Sequence, residues 1–239
     1  MVRVGRSLGV LLGTLGAAAA LAQSPAPGPV VPSNPMPMPA APRVVLSEVV
    51  DPAYREAVLG VVRRPTMSAR GSAADVVCSP QTFEWLLDHP DRTALAWRRL
   101  QVPCVEITDV GKGRFVWADD GSDLTWQTVG TFPDGRVWYA TGKLKPAPVG
   151  PTVPVKAVVV VSHPSRPIGG TAAAVSPSVQ AFVQTDSKAA NVALRVLGPT
   201  APKLAQEAAD QLLLFFTGVA KHVHAHPERA EELLAPARR

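Results

Sequence analysis

The part of this chain that most limits its fold lies between residues 102 and 144, where the hydrophobic period changes from helical to two. CVEITDVGKGRFVWAD puts Phe115 and Trp117 on one side of an extended segment. LTWQTVGTF puts Leu124, Trp126 and Thr128 on alternating positions. Between them DDGSD supplies a turn. Pro133-Asp134-Gly135 predicts a hairpin, and RVWYATGKL follows with Val137, Tyr139 and Thr141 in register. Three successive strands joined by tight turns make an antiparallel meander. VPVKAVVVVS, 153–162, predicts a further strand with a continuous apolar end, and AFVQTD and NVALRVL add one or two more. HPSRPIGGTAAA between them reads as a flexible loop, because Pro and Gly break either regular pattern.

Helical patterns flank these strands. Asp51-Pro52 is an N-cap and first turn, and Tyr54, Val58 and Val61 then share a face before Pro65. Residues 66–77 carry no clear period, with VVC at 76–78 closing a short first strand. In CSPQTFEWLLDHPDRTALAWRRL, Ser79 caps, Pro80 opens, and Phe83, Leu86 and Leu87 form a stripe. His89-Pro90 interrupts, and Leu95, Trp97 and Leu100 belong to a second helix. From Thr200 a long amphipathic helix places Leu204, Ala208, Leu212, Phe215, Val219 and Val223 on one face. The expected fold is α+β: an antiparallel meander with N-terminal helices and a long C-terminal helix packed on the sheet.

Residues 1–22 read as a signal peptide. Arg3 and Arg6 precede an uncharged apolar run, and Ala20-Leu21-Ala22 forms a small-residue cleavage site. The chain is therefore expected outside the cytoplasm, in a periplasm, envelope or medium, with membrane contact only through an uncleaved N-terminal segment. Residues 23–43 are a linker, with eight prolines in the nineteen positions from Ser24 to Pro42, a composition that favours extended polyproline II. A single α+β domain is then expected over 44–239. Losing the signal lowers the formal charge from +5 to +3, too little and too scattered for nucleic-acid binding. The two cysteines, Cys78 and Cys104, are expected to form a disulfide in an oxidising compartment.

Catalytic and metal signals are sparse. KHVHAHPERAEELL puts His222, His224 and His226 on alternate positions. As a strand it would present all three together; as the continuing helix it pairs only His222 with His226, and Pro227 marks a helix end. The helical reading is preferred, so no metal site is assigned. Asp119, Asp120 and Asp123 around Gly121 lack the spacing of an EF-hand, and Gly111-Lys112-Gly113 is too short for a phosphate loop. No cofactor and no catalytic residue is assigned. Aromatics on a sheet are most often core, but Trp117, Trp126 and Tyr139 are the residues expected to line an apolar pocket, with a phenol or indole N–H orienting its occupant.

The run SPQTFEWLLDHPDRTALAW is similar to the helix pair that follows the first strand in START-like (SRPBCC) proteins, through Ser79-Pro80, Phe83, Trp85, Asp88 and Trp97. The resemblance extends over roughly residues 66–225. It implies a helix-grip fold, in which the last helix covers a curved sheet and encloses a cavity. Three functions follow as expectations: an exported non-enzymatic binder of an apolar small molecule, a lipid or a partner; a START-like enzyme of cyclase or hydrolase type, with His89 or Tyr139 as acid or base; and a structural envelope protein with a filled core.

Overall fold

The computed structural model describes residues 44–119, 122–145, 152–185 and 200–236. The expected signal (1–22), the proline-rich linker (23–43) and NVALRVL lie outside the described residues. Two helices open the fold, α1 (Leu46–Val49) and α2 (Pro52–Arg63). Asp51 Oδ1 accepts the Ala53 N–H at 2.8 Å, so α2 starts at the expected cap, and Val58 and Val61 are buried. Next come β1 (Met67–Ser72) and β2 (Val76–Cys78). The helix pair follows, α3 (Pro80–Asp88) and α4 (Pro90–Arg99), broken at His89. Ser79 Oγ accepts the Thr82 N–H, and Phe83, Leu86 and Leu87 face inward. On α4 the buried side chains are Pro90, Thr93, Ala94 and Ala96, with Leu95 and Leu100 only half-buried.

The strands that follow are β3 (Ile107–Asp109), β4 (Arg114–Asp119), β5 (Ser122–Phe132), β6 (Gly135–Leu144), β7 (Val153–Ser162), β8 (Ser165–Gly169), β9 (Ala172–Val175) and β10 (Ser178–Gln184). The chain then forms α5 (Thr200–Ala225), a 3-10 turn (Pro227–Arg229) and α6 (Ala230–Leu234). Seven strands make one antiparallel sheet in the order β1-β10-β7-β6-β5-β4-β3, and β2-β9-β8 make a second. The fold is α+β with the long helix on the sheet, as expected. No helix among the described residues is long and apolar enough to cross a membrane.

Three expectations need correction. The segment 163–174 is not a loop. It contains β8 and β9, whose hairpin turns at Gly169 and Gly170, both at positive φ (131° and 58°), so the glycines permit pairing instead of preventing it. The buried face of α5 is also offset by about one position. Ala205, Ala209, Leu213, Phe216, Val219, Ala220 and Val223 are buried, whereas Ala208 is exposed and Leu212 and Phe215 are half-buried. Finally, Cys78 and Cys104 are free thiols. Cys78 ends β2 inside the main core, while Cys104 lies on the link from α4 to β3. β3 is the edge of the large sheet opposite β1, the strand that leads into β2.

Both faces of the large sheet are covered. α1 and α2 lie on one, burying Val58 and Val61 against Val137, Val158 and Val160. α5 and α3 lie on the other, burying Leu213, Phe216 and Phe83 in a core with Trp138, Val161 and Val179. Arg136, 8% exposed, ties β6 to α3: its Nε donates to Asp88 Oδ1 at 2.8 Å and its Nη2 to Glu84 O at 3.2 Å.

Candidate functional site

Directly paired residues of an antiparallel ladder point to the same face, so register assigns the surface beneath α5. One row runs Phe115, Trp126, Ala140, Ala157, Val183, Met67 across β4, β5, β6, β7, β10 and β1. The next runs Thr128, Trp138, Val159, Ala181, Ala69. A third holds Trp117, Leu124, Gly142 and Val155. The rings of Trp138 and Phe216 meet at 5.8 Å, which fixes this as the face toward α5.

Burial along β7 sets the two faces apart. Val158 and Val160, toward α2, are 0% and 8% exposed. Ala157 and Val159, toward α5, retain partial exposure although β7 is a central strand. Ala140, Ala181 and Trp126 on the same face are also only partly buried, and Thr128 is exposed. Packing there falls into two clusters. One surrounds α5 and includes Trp138, Val161 and Val179; the other joins Val153 and Val155 to Leu124, Leu144 and Val183. Ala140, Ala157 and Ala181 belong to neither cluster. A floor of side chains no longer than a methyl thus lies between two packed regions, bordered by Trp126 and Trp138.

Trp117 and Trp126 both come to this face. Phe115 stacks obliquely on Trp126 at 5.8 Å, and the Trp117 indole N–H is buried without a partner. Tyr139 does not join them. It pairs with Gln127 and Val158 on the opposite face, where its ring lies 6.2 Å from Tyr54 and burial raises the pKa of its phenol. The cause is a β-bulge. The Phe132–Gly135 pair closes the hairpin, and uninterrupted counting back from it would seat Tyr139 opposite Thr128. The extra residue, Val129, breaks the count, so that Trp138 takes that place. The Asp51 N–H donates to Val129 O at 2.8 Å, which holds the bulge. Alternation alone could not reveal this, so Trp138 belongs to the aromatic set read from the sequence but Tyr139 is preferred over it there, and Ala140 and Ala157 carry no signal of their own.

The other chemical groups are engaged elsewhere. His89 Nδ1 lies 2.8 Å from Trp85 O and its ring stacks on Trp85 at 4.2 Å. His163, 2% exposed, packs on Phe83 at 5.5 Å and its Nε2 has no partner. Burial, and then the Arg136 charge, lower its pKa. His222, near the end of α5, and His226, just past it, lie 4.7 Å apart between rings, while His224 is exposed. Burial and then His226 lower the pKa of His222. Among the described residues, no three His, Cys, Asp or Glu side chains group closely enough to hold a metal. Gly111, Lys112 and Gly113, all at positive φ, form the β3–β4 turn. Asp120 and Gly121 lie outside the described residues. An open depression lined by Pro52, Arg55, Glu56, Leu59, Gly60 and Arg63 lies on α2, away from the alanine floor.

No family model matches this chain, and no curated protein does. Solved structures that align with it include a conserved protein from Geobacillus kaustophilus, at 15% identity and a TM-score of 0.43, covering 66% of this chain and 97% of that one. Ara h 8.0201 aligns at 10% identity and a TM-score of 0.38, over 64% of this chain and 97% of its own. The di-domain ARO/CYC BexL aligns at 16% identity and a TM-score of 0.34, over 78% of this chain and 56% of its own. At these scores the likenesses say nothing about activity or ligand.

Proposed function

We propose that this chain is an exported, non-enzymatic protein that holds an apolar small molecule or lipid between its sheet and its long helix. The observation that carries the reading is the contrast along β7. At the middle of the strand Val158 and Val160, toward α2, are sealed, while Ala157 and Val159, toward α5, stay partly open. Small side chains at the centre of the sheet face, beside the strands on which α5 packs, leave that face open to a guest. Trp126 and Trp138 border that room, and the unpartnered Trp117 indole offers a donor on the same face. Each 100 Å² of apolar surface so covered would contribute roughly 2.5 kcal/mol before association costs.

The non-enzymatic part rests on geometry. His89 is bonded to Trp85 O at the α3–α4 corner, and Tyr139 is on the α2 side of the sheet, so the two acid–base candidates do not converge. The exported part rests on residues 1–22. Native mass spectrometry of the protein recovered from its producing cells tests binding and export. A chain beginning at Gln23 with a lipid-sized adduct is the expected result. A bare chain that also takes up no apolar probe would count against the binding reading, and an intact Met1 in the soluble cytoplasmic fraction against export.

A further inference from the structure

We infer that the molecule held over the alanine floor is uncharged, an alcohol, ketone or hydrocarbon rather than a carboxylate or phosphate. This deepens the binding reading above and depends on it. The reason is where the charges fall. Lys143, Lys156, Arg70 and Arg114 occupy strand positions that point to the α2 side, opposite Asp123, Thr141, Gln180 and Gln127. On the α5 side, Arg136 is taken up by Asp88 and Glu84 O. Two anions adjoin the same face. Asp109 accepts the Gly111 N–H at 2.7 Å on edge strand β3, and Asp210 of α5 reaches over Gly71 on edge strand β1.

The buried face of α5 contributes Ala205, Ala209, Leu213, Phe216, Ala220 and Val223, with Thr217 as its polar member. Thus no free cation faces Ala140, Ala157 or Ala181 from the described strands or from the buried face of the helix. An anion placed there would lose its water and gain no partner, which costs far more than burying a hydroxyl that can bond locally. Thr128, exposed on the row shared with Trp138, is such a local partner.

The test uses the full mature chain with 1-pyrenebutanol and 1-pyrenebutyrate, which share ring and tether and differ in charge. Energy transfer from tryptophan to pyrene is titrated at pH 8. The alcohol is expected to bind at least tenfold more tightly than the carboxylate. Ala157→Arg, which adds a cation to the floor, is expected to reverse that order, and Ala140→Trp, which fills the floor, to abolish both signals, with circular dichroism confirming that each variant folds. Should either fail to fold, Ala181→Leu is the substitute, with a smaller loss of both signals expected. Equal or tighter binding of the carboxylate by the unmodified chain overturns the inference and leaves the apolar site standing. Binding of neither probe, or binding unaffected by Ala140→Trp and Ala181→Leu, overturns the site itself.

Discussion

Gly218 in the middle of α5 allows a sharp test of how the roof is seated. In a solvent-facing helix, replacing glycine with alanine stabilises by about 1 kcal/mol, because glycine is the poorer helix former. Here an added Cβ would stand 2.4 Å from Trp97 Cζ2 and 2.6 Å from Cη2. That is roughly an ångström inside ordinary carbon contact, so the indole must withdraw by about that much. Its Nε1 donates to Phe215 O at 2.9 Å, and such a displacement takes the bond out of range. Overpacking costs about 1–3 kcal/mol and the lost bond about 1 kcal/mol. The helix-propensity gain is therefore outweighed, and Gly218→Ala is expected to destabilise by about 1–3 kcal/mol. Urea denaturation followed by circular dichroism reads this as a lower midpoint at unchanged slope. With Trp97→Leu in the background the methyl has space, and the same substitution should become neutral or stabilising. A midpoint that holds or rises in the unmodified protein would refute the close seating of α4 on α5.

Asp88→Ala leaves the buried Arg136 with only the Glu84 carbonyl and is expected to cost about 2–3 kcal/mol, moderated because the Asp88 side chain is itself half exposed and water can enter. Arg136→Met should cost less in the same denaturation assay, since it removes the charge that would otherwise be stranded. Because the pKa of His163 is lowered in the folded state, the unfolded chain binds its proton first as pH falls. Its contribution to stability is complete above the unfolded value of about 6.5 and is lost as pH drops toward the lower folded value, so His163→Phe should flatten the decline in midpoint between pH 8 and pH 5. Both cysteines should titrate as thiols in denaturant; in the native protein Cys104 should react first, because Cys78 is fully buried and burial pushes its thiol up to about 11. An intact mass two hydrogens light would restore the disulfide.

Much of the fold was legible because short-range chemistry announces it. Asp51-Pro52, Ser79-Pro80 and Pro133-Asp134-Gly135 each mark a boundary that the structure keeps. β1 went unread because its inward residues dwindle from Met67 to Ala69 to Gly71, leaving no apolar stripe to mark a period. Gly71 is small because Leu213 of α5 crosses it, a cause that lies 142 positions away and is invisible locally. In LLLFF every position is apolar, so no pattern chooses the inward face, and Leu214 ends up 53% exposed. The site was half legible for a related reason. Trp117 and Trp126 could be assigned a face from their own strands, but the parity of Trp138 and Tyr139 depended on a bulge held by Asp51, from a different part of the chain.

The layer formed by α1 and α2 has a mechanical effect on the opposite side of the sheet. With Val137 and Val158 fully enclosed behind it, the sheet is backed along its central strands and resists flattening. Under the proposed binding, a thicker guest over Ala140 and Ala157 would have to be accommodated by α5. α5 would tilt about its contact with Trp97 while the strand register beneath stays fixed, so guest size would be recorded as a helix angle.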